Sequence, residues 1–585
     1  MRSTETQAST LKPSESRPFT ARAGSWLSYW ALRIRLQPPI LCPHCGYNVA
    51  PGALYGRLRV CDRCGFHWTC SVQMRIHALV DPHSFSPFGR VIAAATRGRG
   101  RPVPWASGIG RPREPVVTGT AKIGGVRVAL VVFDFEVMGG TMSTAVGEAV
   151  TRAFERAAAN KLPLIAIISS GGVRIQEGTP ALLQMAKTTL AVEQFSKVGK
   201  LFISILAHPT TGGVYASFTS LADVLIAEPN AVIGFAGPRV SEAATGRKLP
   251  PDSHSAETLY KHGLVDAVIP RQEQREWIAR ILRSAEGPAL FAGAAKAKDA
   301  RTAGVQASPH FHSTQSRTTD EDEVRLAWKT VKEARRITRP TSVDYISRVF
   351  TGFVELHGDR TQGDDERIVA GLARFEGSGC AVIGEQRARD EENRGAGPAG
   401  YRKAERLIHL AGRLGLPIIT LIDTPGADPS LESEQGGVAG AIARCLSAFV
   451  TVPVPTVSVI IGEGTSGGAL ALAAADRVLM LEDATFSVIS PEGASTILYG
   501  DASHAPEMAE MLGLTAEHDL LPQGIVDQII PVRAAETISS PDEMVCRVSR
   551  AISENMRDLL AIDPQKRLDL RHRRYRNNGR NGAGT

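Results

Sequence analysis

The chain has 585 residues, 43% apolar and 22% charged, with a formal net charge of +7. That length is too great for one core and implies two or three domains of ordinary globular composition. No apolar run reaches about 18 residues, which excludes a membrane span; the first 25 residues lack a secretory pattern, which makes the cytoplasm the expected compartment; and eight cysteines, half of them clustered, exclude a disulfide framework.

Residues 1–38 read as a disordered leader rich in Ser, Thr and Pro. Within 39–66, Cys42, Cys45, Cys61 and Cys64 form a C-x2-C pair, fifteen residues, and a second C-x2-C pair. Each pair can clamp one edge of a tetrahedral ion, and Gly46 and Gly65 supply the turns. Four thiolates leave no open coordination position, so the expected metal is one structural zinc ion, with His44, His67 and Cys70 surplus to the set. Arg57, Arg59 and Arg63 leave a nucleic-acid-reading module as the alternative. Cys380, Cys445 and Cys546 stand alone on apolar backgrounds and are expected in the core.

A short helix is expected at 72–80, and then strand and helix patterns alternate from 116 to about 285. The apolar runs 126–133, 164–168, 201–206 and 224–226 read as buried strands, and 145–160 and 182–198 as helices between them. Such alternation implies a parallel sheet with crossover helices. Residues 295–318 read as a linker and 320–337 as an amphipathic helix; the alternation then restarts near 368 and runs to 530. Lys566, Arg567, Arg571, Arg573, Arg574, Arg576 and Arg580 make 553–585 a basic tail, read as solvated, with RNA, a membrane surface or an acidic protein as the alternative partner.

The two alternating stretches match in order. Gly119 and Gly371 lie 252 apart, Ile168 and Ile422 lie 254 apart, the doublets starting at Gly212 and Gly467 lie 255 apart, and Pro238 and Pro491 lie 253 apart. Gly263-Leu-Val-Asp-Ala-Val-Ile-Pro repeats as Gly524-Ile-Val-Asp-Gln-Ile-Ile-Pro, 261 residues on. Each glycine doublet opens a helical segment, where backbone N–H groups lack intrahelical partners and the absent Cβ lets a ligand approach. Two such starts suit chemistry in which main-chain amides stabilise two oxyanions, each donor being worth about 3 kcal/mol.

Longer motifs identify a family. The C4 module, Met74-Arg-Ile-His-Ala-Leu-Val-Asp, Phe135-Glu-Val-Met-Gly-Gly-Thr-Met, Ser170-Gly-Gly-Val-Arg-Ile-Gln-Glu-Gly, His208-Pro-Thr-Thr-Gly-Gly-Val and Gly234-Phe-Ala-Gly-Pro-Arg-Val resemble the zinc-bearing β subunit of bacterial acetyl-CoA carboxylase carboxyltransferase. Gly397-Pro-Ala-Gly-Tyr-Arg-Lys-Ala, Ile422-Asp-Thr-Pro-Gly-Ala, Ile461-Gly-Glu-Gly-Thr-Ser-Gly-Gly-Ala-Leu and Ser487-Val-Ile-Ser-Pro-Glu-Gly resemble its α subunit. The resemblance spans about 40–532 and thins at 280–340. It implies an α/β protein of two tandem crotonase-like (ββα spiral) domains after a C4 zinc ribbon: a β-type domain at 67–294, linker and helix at 295–340, and an α-type domain at 341–552. It also implies transfer of carboxylate from N1′-carboxybiotin, borne on a separate biotin carboxyl carrier protein, to acetyl-CoA, giving malonyl-CoA for fatty-acid synthesis. A separate biotin carboxylase and a homodimer or larger assembly are implied with it.

On that scheme Gly212 and Gly213 serve the acyl-CoA enolate, and Gly468 and Ala469 the biotin ureido oxygen, with Gly467 setting the turn. Gly171 and Gly172 shape the acyl-CoA pocket. Arg174 either meets a CoA phosphate or pairs with Glu177, and Tyr401, Arg402 and Lys403 either line the biotin side or form an exposed helix start. No Gly-x4-Gly-Lys-Ser/Thr loop supports nucleotide hydrolysis, no Met-Lys-Met marks a biotin attachment site, and neither glycine loop holds the carboxylate pair a hydratase needs. A carboxyltransferase for propionyl-CoA or a longer acyl group is the alternative enzyme. Val173, where the β family usually has Ala, and 390–397, which lack the usual α-type Arg-Asn-Phe-Gly, depart from the pattern.

Overall fold

A computed structural model of the chain describes residues 40–50, 52–89, 114–285, 320–387, 394–534, 537–538 and 541–578. The leader, the linker and part of the 390–397 departure lie outside the described residues.

The first half contributes β1 (Ser86–Pro87), β2 (Val116–Ile123), β3 (Val126–Phe133), β4 (Leu164–Ser170), β5 (Phe202–Thr211), β6 (Val224–Ala227), β7 (Ile233–Gly234) and β8 (Ala267–Val268). The second contributes β9 (Thr351–Glu355), β10 (Ile368–Phe375), β11 (Ser378–Glu385), β12 (Ile418–Thr424), β13 (Thr456–Thr465), β14 (Arg477–Leu481), β15 (Thr485–Ser487) and β16 (Gln528–Ile530). Sheet order is β1-β2-β3-β4-β5-β6-β8 with β7 on β5, and β9-β10-β11-β12-β13-β14-β16 with β15 on β13. The halves therefore share one topology: an antiparallel hairpin at one side, then parallel strands. β4 and β12 are buried along their whole length, as continuous apolar runs covered on both faces must be.

The repeat extends to contacts. A Cβ on Gly119 would lie 2.4 Å from the Ser86 carbonyl and 2.7 Å from the Phe85 ring; one on Gly371 would lie 2.3 Å from the Val354 carbonyl and 2.7 Å from the Phe353 ring. Both glycines are there because an edge strand and its phenylalanine press against the sheet.

The halves share a hydrophobic core. Helix Gln184–Ser196 of the first half is buried over most of its surface and packs on helix Val438–Thr451 of the second. Among the described residues the C-terminal cations occupy helix Pro564–Asn577, which straps the halves together; Lys566 and Arg573 are exposed on it, Arg567, Arg571, Arg574 and Arg576 are not, and Arg580 lies outside the described residues. Arg571 is buried and bonds Asp476 at 2.7 Å and the carbonyls of Val452 and Val454 at 2.7 and 2.8 Å. Arg574 bonds Asp527 at 2.6 Å, while Arg576 reaches across to Glu148 of the first half at 2.7 Å. The acids that neutralise these arginines stand far away in sequence, so charge patterning alone reads as exposure. Cys380 and Cys445 are buried as expected, but Cys546 is exposed. Among the described residues, no helix is long and apolar enough to cross a membrane.

Candidate active site: two amide turns against one helix

β4 ends at Ser170, whose hydroxyl accepts from Gly172 N at 3.0 Å and donates to the Gly140 carbonyl at 2.7 Å. Its counterpart Thr424 ends β12 and accepts from Gly426 N at 3.2 Å. Gly172 and Gly426 then take φ of +107° and +118°, values that favour glycine. These loops lie at the C-terminal ends of parallel strands, where α/β sheets bind ligands.

The neighbouring strands lead into the helix starts. β5 ends at Thr211, Gly212 turns left-handed at φ +69°, and helix Gly212–Tyr215 follows. β13 ends at Thr465, and the left-handed residue is Ser466 at φ +66°, opening helix Ser466–Ala473. The structural register thus pairs Gly212 with Ser466 and Gly213 with Gly467, one residue off the glycine-to-glycine match. Gly467 does not set the turn. A serine in this conformation costs about 1–2 kcal/mol, strain that concentrates at functional turns.

Hydrogen bonding selects among the expected donors. Gly212 N–H donates to the Phe235 carbonyl at 3.0 Å, so it is already engaged. Ala469 is the fourth residue of its helix, the first position at which helix geometry supplies an intrahelical acceptor for the amide. The amides of Gly213 and Gly467, each second in its helix, remain as equivalent donors, followed by that of Gly468.

These glycines sit in crowded places, with side chains closing on Gly213 and Gly467 and backbone also closing on Gly468. A Cβ on Gly213 would lie 2.6 Å from Val173 Cγ2 and 2.7 Å from Met185 Sδ; one on Gly467 would lie 2.8 Å from Met185 Cε. One on Gly468 would lie 2.6 Å from the Tyr401 hydroxyl. Both turns therefore abut Met185, which is fully buried in helix Gln184–Ser196. A methionine in a buried helix reads as core, and nothing in sequence separates this one.

Gly171 is exposed beside this turn, its amide donating to the Gly139 carbonyl at 2.8 Å. The charged candidates all meet protein partners, and the Arg174–Glu177 pair expected from the sequence is present beside a second one. Arg174 is buried and makes a bidentate pair with Glu114 at 2.9 and 2.8 Å; Glu177 is 3.5 Å away. It is no CoA phosphate ligand here. Arg402 bonds Asp359 at 2.7 Å, and buried Lys403 bonds Asp364 at 2.7 Å, which ties helix Pro398–Leu414 to the loop before β10. Tyr401 is buried behind the second turn, and burial holds its phenol well above the usual range, with the Glu385 charge adding to the effect. Two further buried acids are held above the usual carboxylate range. Burial pushes Asp423 up to about 6, while Glu434, raised by the same cause, lies at the junction of the halves.

The four cysteines of the ribbon converge, with every pair of sulfurs within 4.8 Å. The cross pairs Cys42–Cys64 and Cys45–Cys61 are 3.7 and 3.8 Å apart. A tetrahedron with Zn–S of about 2.3 Å has edges of about 3.8 Å, so the set fits zinc. Gly46 and Gly65 close the two knuckles at φ +68° and +71°. Arg271 docks the ribbon, donating its amide to His67 Nε2 at 3.0 Å and its guanidinium to the Trp68 carbonyl at 3.0 Å. Chelation is expected to release one zinc per chain and unfold the ribbon alone, because no sheet strand carries a ligand. Hydrogen exchange would then show lost protection confined to about 40–68, and loss spreading through both sheets would contradict this.

A family model described as acetyl co-enzyme A carboxylase carboxyltransferase-like matches residues 308–579. The acetyl-coenzyme A carboxylase carboxyl transferase subunits beta/alpha of Salinispora tropica is 42% identical over 567 residues, covering 93% of this chain and 96% of that protein. The protein of the same description from Saccharopolyspora erythraea is 40% identical, with 91% and 93% covered. The probable biotin-dependent acyl-coenzyme A carboxylase beta3 subunit of Mycobacterium bovis is 38% identical, with 80% and 89% covered. With two α/β halves of one topology in tandem, these likenesses define the class: a carboxyltransferase, hence a transferase. The chain belongs to the acetyl-coenzyme A carboxylase carboxyltransferase family, with β-type and α-type parts joined in one polypeptide.

Proposed function

We propose that the chain transfers carboxylate from carboxybiotin, presented on a separate carrier protein, to acetyl-CoA, yielding malonyl-CoA. The observation that carries this reading is the pair of equivalent amide turns, Gly213 and Gly467, backing on one side chain, Met185. Loss of a methyl proton from the thioester builds charge on its oxygen, and loss of carboxylate from biotin builds charge on the ureido oxygen. Two fixed sets of N–H donors meet those two demands without a strong side-chain base. Gly213 serves the enolate. Gly467 and Gly468 serve the ureido oxygen. Gly171 and Gly172 shape the acyl-CoA side. A biotin carboxylase supplies the carboxylated carrier, the working form is a homodimer or larger, and the compartment is the cytoplasm.

The test is turnover of the purified chain with biocytin and malonyl-CoA, compared with methylmalonyl-CoA and longer carboxyacyl-CoA substrates. The reading expects the highest kcat/KM for malonyl-CoA. Preference for a longer substrate would replace it with the broader acyl-CoA reading, and no turnover with any would overturn it.

A further inference from the structure

We infer that Glu434, a side chain of the second half, is a positioning residue for the acyl-side amide turn of the first half. The inference rests on the assignment of Gly213 as the enolate donor. Glu434 lies in the short helix Leu431–Gln435 and is 8% exposed. Its carboxylate leaves its own half: Oε2 accepts from Phe235 N at 2.8 Å and Oε1 from Ala236 N at 2.6 Å. The Phe235 carbonyl in turn accepts from Gly212 N at 3.0 Å. One peptide group thus separates the Glu434 carboxylate from the residue preceding Gly213. A Cβ on Gly234 would lie 3.3 Å from Glu434 Oε2 and 2.5 Å from His254 Cδ2, so the glycine leaves room for this clamp.

A contact in the other direction is different in kind. The loop at β15 of the second half receives a hydroxyl, Thr179 Oγ1, which donates to the Phe486 carbonyl at 3.1 Å. Of these two contacts, the acyl-side clamp is the one that can titrate. Three titratable groups face it: Asp428 on the loop before its own helix, Tyr215 at the end of helix Gly212–Tyr215, and His254 beside Gly234, itself facing Glu242. Burial pushes Glu434 up to about 7, against the two amide bonds, which favour the carboxylate. The sign follows for each property. A protonated carboxyl accepts poorly from two amides, so the clamp tightens as pH rises through about 7. Stability moves the other way: the folded chain holds a proton that the unfolded chain releases near 4.5, so this group's contribution falls as pH climbs from about 4.5 to about 7.

The experiment measures kcat and KM for malonyl-CoA with biocytin, from about pH 6 to about pH 8.5, in wild type, E434Q and G213P. Wild-type kcat is expected to rise through a single ionisation near 7. E434Q is expected to lack that limb and to lose about tenfold in kcat above it, with KM changed by less than about twofold. A merely structural Glu434 would lower Tm and leave the pH profile in place, and that result overturns the inference. If folded G213P keeps full turnover, the donor assignment itself falls. If G213P is impaired while E434Q matches wild type, only the clamp falls. Should E434Q fail to fold, hydrogen exchange of the wild type decides: corrected protection of the Phe235 and Ala236 amides must rise through about pH 7, and constant protection overturns the inference.

Discussion

Gly213→Pro is expected to lower turnover by about a hundred- to a thousandfold in a chain that still folds, the usual cost of deleting one oxyanion donor. Proline removes the N–H, but it also brings a Cβ to a position 2.6 Å from Val173 Cγ2 and 2.7 Å from Met185 Sδ. Gly213→Ala adds the same Cβ and keeps the amide, so it measures crowding alone. Met185 is flexible and can yield, so the alanine variant should retain most of the activity that proline destroys. Equal losses in the two variants would assign the effect to packing. The comparison is read in kcat at saturating malonyl-CoA, because a donor that acts on developing charge changes kcat more than KM.

Arg571→Met is expected to destabilise the fold by about 3–5 kcal/mol, because it strands a buried carboxylate. Asp476 is 8% exposed and accepts from Arg571 at 2.7 Å and from Thr456 N at 2.9 Å. The guanidinium also satisfies the Val452 and Val454 carbonyls, which the variant leaves without that donor. The midpoint of the first urea transition checks the loss. Adding Asp476→Asn should restore part of it, since a neutral amide costs less to bury than a lone charge. A shift below about 1 kcal/mol, the usual range of an exposed pair, would mean that the C-terminal helix is not a strap.

The strand framework was legible because its strands are long apolar runs. The stretch 126–133 is β3 to the residue, and the offsets 252, 253 and 261 recur in the paired strands and in the proline that opens each equivalent helix. The slip at the glycine doublet has a physical cause. Residue type was matched, but backbone conformation is what repeats, and Ser466 occupies the left-handed place of Gly212. Arg174 was legible only in part: local spacing offers Glu177, which it meets at 3.5 Å, while the fold adds Glu114 across sixty positions. Arg402 and Lys403 likewise meet acids that lie before β10. Glu434 left no trace at all. An acid in a Glu/Ser-rich helix start reads as exposed, and its partners are amides of the other half, which carry no sequence signal. The zinc ribbon was fully legible, since ligand spacing and turn glycines are local properties.

Replacing Gly213 by glycolic acid exchanges the amide for an ester, removing one N–H and adding no bulk, and so tests the two-turn chemistry most directly. With the fold and Tm held, kcat with malonyl-CoA and biocytin should fall about a hundred- to a thousandfold, and the same exchange at Gly467 should do likewise. An ester-bearing protein that turns over at the wild-type rate would contradict main-chain stabilisation of the reacting oxygens.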